Sequence, residues 1–544
     1  MYDKASQRFR DTIKGNHAPF VVVKALSVDG SVTNIPITGG SVKIDRMSTD
    51  ARRSLSFTTN EDSLVPMNPK DPLNIYGNHI YVYRGVIWNR NNISDELWTT
   101  KNLPLSEKLL RPSNLAYELV PLGIYRISTV NISENGDGSV EISVEGADIS
   151  ANIAKNHWVG STTVWKVPYT PPVVVTQTSA ILLNVQKFVA TNFQAAIKLL
   201  IDDRWPAISP VGKPQYDFSG IQDKTLIKPV TLGSTNPTSL SSTNPWTDIQ
   251  GLAGAMGCEL FVDTEGKFKL ITLKDPNTQE SVWDLLDGEG GLLVDVQRKI
   301  SDEKAVNYVW ASGESSLLQL PLRSIAIDQD PESPTYYKGP FGVSSAMEPG
   351  RKSTTTQAQA DLAAKTYLNW FHGGDDSTTV KAVPNPSLDV GDVIRIRRQR
   401  LGIIDLTASK AVLAQNIIGK YGQEPTTQLA VNALDNPIAK GTTLRLVNAY
   451  SKQDIVVAEN ATKGQTTLKI QPVSFIDNFR RYTYLLDTKT GHDGAVHFLI
   501  DTLTMPLDIE SPMEIVCRAR RIGTKQDAIK IAEFQLPDPF AVYQ

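Results

Sequence analysis

The chain has 544 residues, too many for one hydrophobic core, so about three or four domains are expected. Its 55 basic and 58 acidic residues leave a net charge of −3, which argues against a dedicated nucleic-acid-binding protein because such proteins carry a basic excess. The two cysteines, Cys258 and Cys517, exclude a disulfide framework, and we interpret both as small buried hydrophobes. No signal peptide and no membrane span is predicted, which favours folding in a reducing cytoplasm.

The first region of the chain is predicted to be β-rich. A short helix is expected within residues 1–16, where Phe9 and Ile13 stand four positions apart. Short apolar runs separated by glycine and proline turns follow, and they are typical of a sandwich or barrel. The strands are predicted at residues 20–26, 32–37, 41–45, 54–59 and 80–88.

A β-hairpin followed by a helix is predicted over residues 121–155. Apolar and polar residues alternate on both sides of 134–138, a turn with two glycines that tolerate positive φ. Ile149 and Ile153 then stand at helical spacing, with Asp148 expected in the first turn. This change of period predicts that a β domain ends near residue 155.

The interruption at residues 89–119 is long for a hairpin loop and unusually apolar. We predict that it contacts another subunit or a neighbouring protein, because such a patch marks an interaction surface. Its apolar residues are Trp98, Leu103, Leu105, Leu109 and Leu110.

Residues 156–300 are predicted to form a small α+β domain. Apolar residues at three- and four-residue steps indicate a helix over 178–204. A second helix is expected to begin after Asn244, a favourable N-cap followed by Pro245 at the first helical position. A hairpin is predicted next, with strands at 258–262 and 267–273.

Residues 301–436 are interpreted as a second β domain, and residues 437–544 as a further β-rich domain with no assigned role. A helix is expected after the capping-box pattern that runs from Thr354 to Gln357. Strands of the second domain are predicted at 305–311, 378–383, 392–397, 410–421 and 426–432. Those of the last domain are predicted at 443–449, 454–457, 466–470 and 513–518.

No motif in the sequence indicates catalysis, a cofactor or a metal, and we predict no catalytic, cofactor-binding or metal-ligating residues. His492 and His497 lack a third ligand, and the turn at 131–138 lacks the spacing of a calcium loop. The glycines at 288–291 lack the lysine of a phosphate-binding loop. The basic run of Arg395, Arg397, Arg398 and Arg400 favours a solvated face or an inter-subunit salt-bridge face over a nucleic-acid patch.

Five segments of the first 155 residues occur in an order that resembles a known family. They read SQRFRDTIKGNHAPF, IPITGGSVKID (35–45), DPLNIYGNHIYVYRGVIW (71–88), PLGIYRI (121–127) and EGADISANI (145–153). The series resembles the N-terminal domain of the minor tail proteins, or tail (baseplate) hub proteins, of siphophages that infect actinobacteria. The likeness extends more weakly to the helix–hairpin order after residue 156 and fails beyond residue 437.

The resemblance implies a β-rich multi-domain (α+β) fold with two tube-like β-barrel or sandwich domains, at 1–155 and 301–436. They would be separated by the α+β domain at 156–300 and followed by the β-rich domain at 437–544. It implies a homotrimeric ring in the virion tail tip, assembled in the host cytoplasm. The implied partners are a distal tail protein, a tape measure protein, receptor-binding proteins and, only in transit through the channel, genomic DNA.

Two alternative functions remain open on the residues alone. One is a tail-associated hydrolase of cell-wall polymers, since a pair of carboxylates leaves no motif. The other is an adhesin whose residues 437–544 form a carbohydrate-binding module. Surface aromatic residues favour that alternative, namely Tyr450, Tyr482 and Tyr484.

Overall fold

The fold was analysed in a computed structural model. The structure describes residues 2–46, 48, 51–158, 161–165, 186–226, 230–233, 244–256, 258–272, 280–286, 291–301, 305–314, 321–331, 333, 335–347, 357–358, 360–361, 364–365, 368, 375–397, 409–418, 426–431, 437–447, 452–462, 465, 467–471, 483–487, 496–508 and 511–519.

Strands outnumber helices among these residues. The helices are α1 (Gln7–Thr12), α2 (Glu96–Thr99), α3 (Glu107–Leu110), α4 (Ala151–Ala154), α5 (Phe193–Arg204) and α6 (Pro245–Ala255), with 3-10 turns at Asp62–Leu64 and Arg90–Asn92. The strands are β1 (Ala18–Leu26), β2 (Val32–Asn34), β3 (Gly39–Asp45), β4 (Arg53–Thr59), β5 (His79–Ile87), β6 (Tyr117–Glu134), β7 (Val140–Asp148), β8 (Ser161–Trp165), β9 (Gln186–Val189), β10 (Gln215–Asp217), β11 (Val230–Gly233), β12 (Cys258–Val262), β13 (Lys267–Thr272), β14 (Trp283–Leu286), β15 (Leu293–Ser301), β16 (Tyr308–Glu314), β17 (Pro321–Ile327), β18 (Ser345–Met347), β19 (Asp375–Ala382), β20 (Val393–Arg397), β21 (Ser409–Ile418), β22 (Thr426–Val431), β23 (Thr443–Val447), β24 (Lys452–Val456), β25 (Thr467–Ile470), β26 (Thr483–Asp487), β27 (Val496–Pro506) and β28 (Met513–Ala519).

The β-rich multi-domain class predicted from the sequence is confirmed. The hairpin β6–β7 forms as expected and turns at residues 135–139. Asn244 accepts a hydrogen bond from the backbone N–H of Trp246, so α6 begins at the predicted cap. The hairpin β12–β13 also forms as expected.

The turn of this β6–β7 hairpin depends on glycine. The φ of Gly138 is +81°, in the left-handed region that glycine adopts without strain. The backbone N–H of Asn135 donates to the Ser139 carbonyl at 2.9 Å, which closes the turn. The sequence pattern at 121–144 therefore specifies both the hairpin and its turn.

The largest sheet has 13 strands and runs through two groups of strands that are distant in sequence. We call β1–β7 the first β unit, and β14, β15, β19, β20, β27 and β28 the second β unit. The order of the sheet is β15-β19-β28-β27-β3-β4-β7-β6-β5-β1-β2, with β14 paired to β20 and β20 to β27. Both units therefore share one hydrogen-bonded sheet.

This pairing groups the chain differently from the four segments expected from the sequence. The expected boundary at 300/301 falls within β15, and the one at 436/437 falls within a six-stranded sheet ordered β24-β23-β26-β21-β22-β25. A three-stranded sheet, β17-β16-β18, lies between β15 and β19 in the sequence. The pairing favours a second unit with two insertions, although the division into domains stays a prediction.

In the sequence between the two units, α5 and α6 pack with a sheet ordered β10-β13-β12. The predicted helix at 178–204 is wrong over its described beginning, because Gln186–Val189 is a strand that pairs in parallel with β8. The helix begins at Phe193, where the Asn192 side chain accepts from the N–H of Ala195. Tertiary pairing here outweighs the helical spacing of the apolar residues.

Two further predictions in the first β unit need correction. Asp148 is the last residue of β7 rather than part of a helix, because its carboxylate accepts from the backbone N–H of Arg53 at 2.9 Å. The expected exposed patch at 89–119 is also wrong, since most of its leucines pack into the chain's own core, and only Trp98 and Leu115 of this segment are among the exposed large hydrophobics. The buried leucines are Leu97, Leu105, Leu109 and Leu110.

Two hydrophobic cores lie on opposite faces of the first β unit. The first core joins its strands to the second β unit, for example through Phe57, Ile127, Leu503 and Ile515. The second core joins the other face of the same strands to α5, α6 and β12–β13. Its aromatic members are Phe20, Tyr81, Tyr83, Tyr117, Trp158, Phe193, Trp205, Phe218, Trp246 and Phe268.

Candidate functional site

The junction between the two β units is formed by one long strand, β27. Strand β27 pairs with β20 over Val496–Leu499 and with β3 over Thr502–Pro506, both in antiparallel register. Its other edge pairs with β28, with an irregularity between Ile500 and Thr502. One strand thus continues the sheet from the second unit into the first.

A turn of the second unit closes over this strand. The N–H of Gly391 donates to the carbonyl of Ile500 at 2.9 Å, and the N–H of Arg46 donates to that of Asp501 at 3.1 Å. Gly391 has φ +87°, which favours glycine at this position. The backbone of both units is therefore hydrogen-bonded to β27 at its irregular point.

Arg53 and Asp389 form a part-buried ion pair across the junction. Arg53 lies on β4, is 1% exposed, and its Nη2 is 2.5 Å from Oδ2 of Asp389. Burial alone would raise the pKa of Asp389, but Arg53 and Arg52 outweigh it and hold that pKa below its usual range. The carboxylate stays charged, so the pair links the units electrostatically.

Two neighbouring arginines connect the junction to the α+β part of the chain. Arg52 donates to the Val390 carbonyl at 2.9 Å, and its Nη1 lies 3.0 Å from Oε1 of Glu259 on β12. Arg46 reaches the other oxygen of Glu259 at 3.2 Å. The Arg52 guanidinium also stacks on Phe261, 4.0 Å from the ring centre. Three parts of the chain therefore meet at one set of charges.

Arg84 provides a separate connection on β5. Its guanidinium donates to the backbone carbonyl of Pro506 and, at 2.9 Å, to that of Asp508. Burial lowers the pKa of Arg84 to about 10, which still leaves the side chain charged at neutral pH. Near the start of the chain, the N–H of Tyr2 donates to the Ser387 carbonyl at 2.6 Å. Strand β5 and the start of the chain thus each form hydrogen bonds to backbone carbonyls at or near the second β unit.

The basic run singled out in the sequence lies partly in the second β unit. Arg395 pairs with Asp284 through two hydrogen bonds of 2.8 and 2.6 Å, whereas Arg397 is 2% exposed. Arg398 and Arg400 lie outside the described residues. Arg395 is therefore salt-bridged within this chain, and a salt bridge between subunits stays a prediction.

The other sequence candidates form no site in the described chain. The turn at 131–138 holds Asp137, whose carboxylate accepts from the N–H and hydroxyl of Ser139. Across the described ranges, no group of three or more His, Cys, Asp or Glu could hold a metal ion. Cys258 and Cys517 are buried and unbonded to each other, as interpreted.

Several candidates fall on parts of the chain about which nothing further is stated. His492, residues 288–290, Tyr450 and Tyr482 lie outside the described residues, and only the backbone is described at His497 and Tyr484. Within the described segments, no helix is both long and apolar enough to span a membrane. The junction arginines at 46, 52, 53 and 84 had no signal in the sequence, because isolated arginines resemble ordinary surface residues.

Among the comparisons with known proteins, only the comparison with solved structures found similar proteins. No model of a known protein family matches the chain, and no curated protein matches it. A prophage MuSo2 43 kDa tail protein from Shewanella oneidensis is similar, with TM-score 0.44 and 9% identity, over 94% of this chain and 99% of that chain. A tail protein from Neisseria meningitidis MC58 has TM-score 0.40 and 11% identity, over 83% and 96%.

A third similar structure is the prophage tail protein gp18 from Listeria monocytogenes EGD-e. Its TM-score is 0.39 and its identity 6%, over 94% of this chain and 98% of that chain. The similar structures named here are thus tail proteins of prophage or bacterial origin. Because all three TM-scores lie below 0.5, we take this likeness no further.

Proposed function

We propose that this chain is a structural protein of a bacteriophage tail, a hub that connects the tail tube to the tip and leaves a channel for the genome. The observation that carries the proposal is the pairing of β27 with both β20 and β3, which joins two β units in one sheet. A protein that transmits load along a tail needs such units held rigidly. The ordered series of five sequence segments at 1–155 supports the same function.

The proposed assembly is a homotrimeric ring in the tail tip. The main sheet ends at β2, β14 and β15, each paired with a single strand among the described ones. A head-to-tail contact between β15 of one copy and β2 of the next would pair these edges and close a ring. The two β units of three copies would supply six positions around the channel.

The proposed partners follow from the family resemblance. They are a distal tail protein, a tape measure protein and receptor-binding proteins, with genomic DNA passing through the assembled channel. We further propose that the chain is not an enzyme and that it folds in the host cytoplasm before entering the virion. Incubating the purified chain with host cell wall tests the first of these statements, because release of soluble fragments would contradict it.

The ring contact can be tested at the exposed edge of β15. Val294 is 60% exposed there, so Val294→Glu places a charge at the proposed contact while leaving the fold intact. We expect incorporation into tails to fall at least tenfold, measured as copies of the chain per purified particle. The control is Ile208→Glu, at a residue that is 88% exposed in the α+β part.

Both variants should have the unfolding temperature of the wild-type chain. Wild-type particles should hold three copies of the chain at the tail tip, counted in an image reconstruction. Six equivalent copies or a single copy would contradict the ring, as would normal incorporation of Val294→Glu.

A further inference from the structure

A cavity of about 390 Å³ lies where the first β unit, the 89–119 segment and the α+β part meet. This volume is within the range of about 300–1,000 Å³ that is usual for small-molecule sites. Much of its lining is apolar, and includes Leu105, Ile124, Ile149 and Val211. The cavity therefore offers a ligand an apolar environment of sufficient size.

The walls of the cavity are held in place by close packing. Gly266, in the turn between β12 and β13, has φ +80° and lies so near Ile124 that a Cβ atom would stand 2.5 Å from Cδ1 of that residue. On the opposite side, the hydroxyl of Tyr83 accepts from the N–H of Leu105 at 3.1 Å. The cavity is thus bounded by fixed residues from three parts of the chain.

Tyr81 lines this cavity, and its free hydroxyl indicates that the cavity could bind a polar group of a ligand. The residue is only 3% exposed, and its hydroxyl makes no hydrogen bond with any residue in the described ranges. The hydroxyl keeps some accessible surface, and because the residue lines the cavity, this group is an available donor there. Burial raises the pKa of Tyr81, which keeps the hydroxyl protonated.

The charged residues around the cavity favour an anionic ligand. Oε2 of Glu265 accepts from Lys267 at 2.9 Å, and its Oε1 accepts from Lys4. Glu107 is also paired, at 3.2 Å from Arg111. Lys213 is exposed and has no ion pair within the described chain. The lining therefore presents donors at Tyr81 and Lys213, while both of its carboxylates are already neutralised.

We propose that this cavity binds a small amphipathic carboxylate, with its apolar body against Leu105, Ile124 and Ile149. The carboxylate is recognised by the donors of the cavity, Tyr81 and Lys213. The site is independent of the tail assignment, because it depends on this chain's own residues and requires no assembly.

Titration calorimetry of the full-length chain with decanoate, below its micellar concentration, tests the proposal. We expect saturable binding of one decanoate per chain. Decanol lacks the charge and acetate lacks the apolar body, so both should bind at least tenfold more weakly. Absence of saturable decanoate binding, or equal binding of decanol, would overturn the proposal.

Two variants locate the binding within the chain. Tyr81→Phe removes only the hydroxyl and should weaken decanoate binding about tenfold. Lys213→Ala changes a surface residue, so the chain stays folded, and it should weaken binding several-fold and reduce its dependence on salt. The matched controls are Tyr76→Phe and Lys440→Ala, at exposed positions away from the lining. Unchanged affinity in Lys213→Ala, or equal losses in the controls, would contradict the site.

Discussion

The two faces of strand β5 meet different parts of the chain. Ile80, Val82 and Val86 point into the first core, toward the second β unit, whereas Tyr81 and Tyr83 point into the second core, toward the α+β part. The first core is mainly aliphatic and is bordered by the ion pairs of the junction. The second is rich in aromatic residues and borders the cavity. Strand β5 thus alternates aliphatic residues with tyrosines, and each face is buried by a different part of the chain.

The largest effect is expected at the edge of the first core. Arg53→Ala would remove a fully buried side chain, leaving a cavity, and would take the main partner from the partly exposed Asp389, so we expect a loss of about 4 kcal/mol. Urea unfolding followed by circular dichroism measures the loss. Lys43→Ala, at an exposed position on the neighbouring strand, is the control and should cost less than about 0.5 kcal/mol. A loss below about 1 kcal/mol for Arg53→Ala would show that the pair does not hold the two units together.

A smaller loss is expected in the second core. Leu109 is 5% exposed, and Leu109→Ala should lower the free energy of unfolding by about 3 kcal/mol because it removes buried apolar surface and leaves a cavity. The matched control is Leu115→Ala in the same segment, since Leu115 is 55% exposed and should lose less than about 1 kcal/mol. Equal losses in the two variants would indicate that the segment does not pack on the core in solution.

The smallest of the three effects depends on pH at His79, beside the second core. Burial, with a contribution from Arg126, lowers the pKa of His79 to about 4, against 6.5 for an ordinary histidine. Between these values the unfolded chain takes up a proton that the folded chain does not. This contribution to stability is therefore present above pH 6.5 and is lost as the pH falls toward 4.

Between pH 7 and pH 5 the wild-type chain should lose about 2 kcal/mol more stability than His79→Asn, which cannot titrate. Unfolding in urea at a series of pH values measures this difference in slope. Leu115→Ala, which changes no titratable group, is the control and should keep the wild-type slope. A wild-type slope in His79→Asn would mean that the folded chain protonates His79 normally.

Local structure could be predicted from the sequence wherever the signal lies within a few residues. The turn glycine at 138 and the cap at Asn244 each specify their element through their own backbone chemistry. The strand at 186–189 was missed, because its pairing with β8 depends on residues outside the segment. Apolar spacing there agrees with a helix, but the neighbouring strand decides the outcome.

The grouping of strands and the junction could not be predicted from the sequence. Arg53 and Asp389 are far apart in the chain, and neither residue carries a local sign of its partner. The partner of the apolar residues at 89–119 also could not be predicted from the sequence. Their composition correctly indicates that something covers them, but the choice between a neighbouring protein and the chain's own core depends on the tertiary fold. Tyr81 likewise reads as an ordinary strand residue, and its unpaired hydroxyl is visible only in three dimensions.

The position of β27 near residue 500 has a consequence for synthesis. A ribosome releases β3 long before β27, so the edge of the first unit that β27 covers stays open while several hundred residues are made. Open strand edges are sites of mispairing between nascent chains. Strand β3 carries Lys43 on this exposed stretch, and a charge there discourages such contacts until the last strands arrive. Completion of the sheet thus makes the synthesis of β27 the step that commits the chain to its final form.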